Sequence, residues 1–121
     1  MIVKAVFDVN QEERWSVLIG NLKNVVNGIR ELGLEYCLEV VIMGTAINGI
    51  KKLSGILKKE ELEELVEKNV IFSVCNNTMK KYNVKKEDLY DFIKVVPAGV
   101  IELILKQQDG YSYILDSINY L

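Results

Sequence analysis

The chain contains no histidine among its 121 residues. That removes the commonest metal ligand and the commonest general base. It also excludes Ser-His-Asp and Cys-His catalysis built within one chain. Proline occurs once, at Pro97, and cysteine twice, at Cys37 and Cys75, too few for a disulfide framework. The apolar run around Val40–Met43 falls far short of the ~20 residues needed to span a membrane. The first residues carry Lys4 and Asp8, alternate like a strand and lack a cleavage pattern, so they do not read as a signal peptide. Net charge is −2, with lysines spread among acidic residues, so no basic field invites nucleic acid. No G-x-G-x-x-G or Walker A pattern is present. The segment DVNQEERW lacks the Gly, Ser and Thr that would wrap a flavin phosphate. A receiver domain is disfavoured too, because only Asp8 is suitably placed and the third predicted strand ends in Cys75. What is left for chemistry is thiol, carboxylate, amine, tyrosine and backbone. The expectation is a cytoplasmic protein with no metal or organic cofactor and no membrane or nucleic-acid partner.

What is present is a regular alternation. Ile2–Val9 is rich in β-branched residues and bounded by polar ones, as a strand should be. From Glu12 to Leu32, apolar residues from Trp15 to Ile29 recur at helical spacing, with Gly33 as C-cap. The pattern predicts further strands over Tyr36–Met43, Val70–Cys75, Ile93–Val96 and Tyr111–Leu115. Turn and short-helix signals fill Gly44–Gly55. Helices are predicted over Lys58–Lys68, Asn76–Tyr82 and Gly99–Gln108, with one further turn at Lys85–Tyr90. Strands alternating with helices imply βαβ units, hence a mostly parallel five-stranded sheet covered on both faces, a three-layer α/β/α domain. Half the residues are apolar, and a chain of this length buries roughly two-thirds of its unfolded surface. One core spanning residues 1–121 is therefore expected.

In open parallel sheets, ligands bind beyond the carboxyl ends of the strands. Cys75 ends the third strand there and precedes Asn76, Asn77 and Thr78, residue types that favour helix starts. A sulfur at that position faces unpaired N–H groups and the positive end of the helix dipole, both of which favour thiolate. Lys80 and Lys81, expected in the first helical turns, and Arg14 at the same edge of the sheet would add positive potential. The alternative is a buried structural cysteine, the commoner fate of a lone thiol. Cys37 begins its strand at the opposite edge and reads as plain core. A strand length, ~15 Å, separates the two sulfurs, which forbids a disulfide.

Four segments together resemble the DsrE/DsrF-like family of small sulfur-relay proteins, in its short single-domain branch. They are VFDVNQEERWSVLIGNLKNVV, EVVIMGTAINGI, VIFSVCNNTMKKYNV and VVPAGVIELILKQQDGYSYI. The resemblance implies a parallel five-stranded sheet with helices on both faces, and homo-oligomers, commonly trimers or hexamers. It further implies that Cys75 carries sulfur as a persulfide between donor and acceptor proteins.

The resulting expectation is a sulfur carrier, sulfurtransferase-like, with Cys75 as the reacting group. Asn76, Asn77, Thr78 and Arg14 would stabilise its anion. Asn10 and Gly44 would line the same edge, Gly44 by bringing a backbone N–H close to a ligand. The competing expectation is a non-catalytic homo-oligomeric module binding a small anion or a partner protein, with Cys75 structural. The aromatic cluster of Tyr111, Tyr113 and Tyr120 with Ile104 and Leu105 suits either an interface or an edge strand.

Overall fold

The computed structural model describes residues 1–115. Five strands, β1 (Ile2–Val9), β2 (Glu35–Ile42), β3 (Val70–Cys75), β4 (Lys94–Val96) and β5 (Ser112–Leu115), alternate with four helices. The helices are α1 (Trp15–Glu31), α2 (Lys59–Glu67), α3 (Asn76–Lys81) and α4 (Gly99–Gln108). The strands lie in the order β4-β3-β2-β1-β5, and every pairing is parallel. The expected elements are all present, with ends moved by at most three residues. Glu12–Arg14 and Gly44–Ile50 form 3-10 turns.

The strand order dictates how the sheet is covered. A parallel crossover is right-handed in nearly all proteins, so the direction of each step across the sheet sets the face on which its helix lies. The steps β1 to β2, β2 to β3 and β3 to β4 all run the same way, which puts α1, α2 and α3 on one face. Only the return from β4 to β5 runs back, and it puts α4 alone on the other.

The two faces are accordingly unequal. On the first, Ala5, Phe7 and Val9 of β1, Leu38, Val40 and Ile42 of β2, and Val70, Phe72 and Val74 of β3 pack against Trp15, Leu18, Leu22, Leu62 and Met79. On the second, the buried apolar cluster is only Val6, Val41 and Leu103, flanked by Met43 and Tyr111. The period-2 alternation of strand side chains sends Asp8, Glu39, Ser73 and Cys75 to this thinly covered side. All of α4 except Gly99 and Leu103 is incompletely buried, and Val100, Ile101, Ile104 and Leu105 are each 47–62 % exposed. Of the aromatic cluster, Tyr111 is half-buried and Tyr113 exposed. Tyr120 lies outside the described residues.

Trp15 ties the first helix to the loop beyond β2. Its ring is fully buried, lies 6.4 Å from the Phe72 ring centre, and donates from Nε1 to the Ala46 carbonyl at 2.8 Å. Gly49 packs flat against it: a Cβ there would stand 2.2 Å from Trp15 Nε1. Gly49→Ala is therefore expected to destabilise the fold by about 1–3 kcal/mol through overpacking, read as a lower urea midpoint followed by Trp15 fluorescence.

Candidate functional site

Cys75 closes β3 in extended conformation (φ −70°, ψ 121°), and α3 begins at the next residue. It therefore occupies the N-cap position, where a side-chain acceptor meets the N–H groups of the second and third helical residues. Those residues are Asn77 and Thr78. No side-chain cap hydrogen bond closes there, but both residues lower the thiol and so favour the charged sulfur. A third N–H comes from Gly99, the first residue of α4. Burial pushes the Cys75 thiol up, while the Gly99 N–H, the Thr78 N–H and hydroxyl and the Asn77 N–H push it down. The donors outweigh the burial, and the thiol lies below its ordinary value of 9.0.

Two glycines make this convergence possible. Gly44, just past β2, has φ +56°, a conformation L side chains rarely adopt. A Cβ there would also stand 2.5 Å from the Asn10 carbonyl oxygen. Its N–H donates to Thr78 Oγ1 at 3.3 Å. Because that lone pair is taken, the Thr78 hydroxyl hydrogen is free to turn toward sulfur. A Cβ on Gly99 would stand 2.4 Å from Met43 Sδ and 3.3 Å from Val41 Cγ1. Without one, the start of α4 drops onto the sheet, and its first N–H reaches Cys75. Neighbouring loops are stitched as well, with Glu12 N–H donating to Thr45 Oγ1 at 3.2 Å and Met43 N–H to the Val9 carbonyl at 2.9 Å.

Of the residues expected from sequence, Cys75, Asn77, Thr78 and Gly44 come together as one unit. Asn10 joins them through its backbone, and its side chain is exposed. Asn76 is half-buried in the first helical position. Arg14 closes the 3-10 turn, its N–H bonded to the Gln11 carbonyl at 3.1 Å. The principal groups acting on Cys75 are backbone N–H groups and one hydroxyl, not Arg14. Lys80 and Lys81 lie in the last turn of α3, not the first, because that helix is only six residues long. There they complement the carboxyl end of the dipole. Cys37 is exposed, not core, because its side of the sheet is left bare beyond α4. Both cysteines are free. Leu38 pairs with Val70 and Ile42 with Val74, so Cys37 and Cys75 stand ~20 Å apart along the strands.

Sequence reading missed three residues. Gly99 supplies a donor from a distant segment, and its only signal was the Pro-Ala-Gly that opens α4. Glu39 and Ser73 are fully buried polar residues on the face that carries Cys75, hidden within apolar strands. Ser73 Oγ donates to Glu39 Oε1 at 3.1 Å. Among the described residues, no group of three or more Cys, Asp or Glu side chains is placed to hold a metal ion. No helix among them is long and apolar enough to cross a membrane.

These features define a parallel α/β domain with a thiol at its carboxyl edge, held by peptide dipoles. Residues 18–115 match the model of the DsrE/DsrF-like family, and the chain belongs to that family. Two solved structures share its architecture. A protein of unknown function from Methanobacterium thermoautotrophicum, MTH1491, is 26% identical, with a TM-score of 0.79 over 94% of this chain and 97% of that one. The ychN protein from E. coli is 16% identical, with a TM-score of 0.62 over 93% and 98% of the two chains, and its likeness speaks for the fold alone. No curated protein matches the chain significantly.

Thr78→Val removes the hydroxyl and keeps the shape. It is expected to raise the Cys75 thiol pKa and slow its alkylation at neutral pH roughly 3- to 10-fold, the factor that the loss of about one hydrogen bond represents. Thr78→Ser should restore most of the rate. The check is the pH profile of the iodoacetamide reaction, which in the wild-type protein should plateau at lower pH than for a free cysteine.

Proposed function

We propose that the protein is a sulfur carrier in which Cys75 holds sulfane sulfur as a persulfide. The observation that supports this most is the set of donors from two helix starts, α3 and α4, acting on one sulfur whose thiol is lowered despite burial. The thiolate is the nucleophilic form. In the transfer, Cys75 Sγ attacks the terminal sulfur of a donor persulfide. A new S–S bond forms at Cys75 as the donor's S–S bond breaks, and the donor leaves as its thiolate. The sulfane sulfur changes partner with no net oxidation, so no metal, organic cofactor or external oxidant takes part. A persulfide is more acidic than a thiol, and the same N–H groups would hold its anion. With Cys37 ~20 Å away there is no second thiol to resolve the adduct within the chain, which favours delivery to a separate acceptor protein.

The same reading includes homo-oligomers, trimers or hexamers, working in the cytoplasm. What favours assembly is the row of exposed aliphatics on α4, Val100, Ile101, Ile104 and Leu105. Isolated exposed apolar residues need no explanation, but a contiguous set marks an interaction surface.

After incubation with a persulfide donor, intact-mass and peptide analysis should show an adduct of about 32 Da, one sulfur, on Cys75. Cys75→Ser should show none. A folded protein whose Cys75 neither accepts sulfur nor alkylates would sink the carrier reading and leave a structural cysteine in a binding module. Light scattering should give a mass of three or six chains, and Ile104→Asp should lower it.

A further inference from the structure

Helix α4 is held to the sheet by little apolar contact, yet it carries the Gly99 N–H that acts on Cys75. Beneath it lies Glu39, 1 % exposed. Its Oε1 accepts from Ser73 Oγ, while its Oε2 is buried and meets no donor. The neighbour within hydrogen-bonding reach is the Glu102 carboxyl of α4. Joint ionisation of two carboxyl groups that close is disfavoured, and a proton on one turns a repulsive contact into a hydrogen bond. We propose that Glu39 keeps its proton and donates it in a hydrogen bond to the Glu102 carboxylate, that this bond clamps α4 to the sheet, and that its loss loosens the Gly99 N–H from Cys75. Glu39 is thus a positioning residue for the thiol.

The coupling has a direct mechanical route. Glu102 N–H bonds the Ala98 carbonyl at 3.0 Å, so the Glu102 backbone and the start of α4 move as one turn of helix. Gly99 sits so tightly against Met43 and Val41 that a small lift of that turn withdraws its N–H. Direct charge action is weak by comparison. In register Cys75 stands beside Met43, four residues along β2 from Glu39 and ~13 Å away, beyond the ~8 Å screening length of physiological salt.

The surroundings of Glu39 agree. Burial, then the hydrogen bond and the charge of Glu102, push its carboxyl up to about 7, while Lys106 and Ser73 pull down. On β1, Lys4 and Asp8 flank Val6, its cross-strand partner. Cys37 precedes it by two residues on its own strand, and Tyr111 lies near enough to feel its charge. A carboxyl raised in the folded state contributes stability that is complete below its unfolded value of 4.5. That contribution is lost as pH rises through about 7, because between those two values the folded state holds a proton that the unfolded chain has already released. The clamp is therefore closed in mild acid and open in mild base.

The consequence for Cys75 rests on the carrier reading above, and the test separates the two. Amide exchange of the full chain, corrected for the intrinsic pH dependence, should show α4 losing at least about threefold more protection than α1 between pH 6 and pH 8. Glu39→Gln mimics the protonated acid. It should abolish that difference and remove a neutral-pH inflexion from the iodoacetamide profile of Cys75. If α4 tracks α1 in the wild-type protein, or if Glu39→Gln keeps the wild-type pH dependence, the clamp is refuted. If α4 loosens as expected while Cys75 reacts at no pH, the clamp stands and the carrier reading fails. Should Glu39→Gln not fold, Glu102→Gln supplies the test. Removing the like charge should move the α4 transition to lower pH, and an unmoved midpoint overturns the proposal.

Discussion

The right-handedness of the βαβ crossover is the constraint from which the rest of this molecule follows. Three steps in one direction and one step back put three helices on one face of the sheet and one on the other. A single ten-residue helix cannot cover five strands. The second face therefore has an exposed aliphatic helix, an exposed cysteine at one end and buried polar residues in the middle. It also has the start of α4 beside the end of β3, so two helix N-termini reach one sulfur.

That arrangement explains how backbone N–H groups and one hydroxyl favour a thiolate. A chain with no histidine has no imidazolium to set against a thiolate, and the lysines of α3 lie at its far end. Peptide dipoles take their place. They are fixed by the backbone, need no protonation of their own, and require close approach, which two glycines permit. Thr78 connects the two halves of the site: its oxygen is fixed by Gly44, and its hydrogen is left for sulfur. Burial opposes all of this, and the direction of the shift shows that the donors prevail.

Much of the fold was legible in the residues. The strand ends at Val9 and Cys75, and the whole span of α4, emerged from period and punctuation, because alternation and helical spacing are local properties. The position of Cys75 at the carboxyl edge of the sheet followed from the same pattern. Cys37 shows where such reasoning stops. An apolar neighbourhood in sequence suggested core, but its exposure depends on how far α4 extends over the sheet. Glu39 shows the converse: a charged residue inside a strand reads as solvent-facing until a helix is laid over it.

By itself, then, the sequence determined the elements, their order, the parallel sheet and a thiol at a strand-to-helix turn, since each rests on neighbours a few residues apart. Only the tertiary structure decided which face each helix covers, because that depends on strand order and crossover hand. It alone brought Gly99, twenty-four positions beyond Cys75, to the sulfur. It alone set the Glu102 carboxyl beside Glu39, where burial and like charge hold the Glu39 carboxyl above its ordinary range.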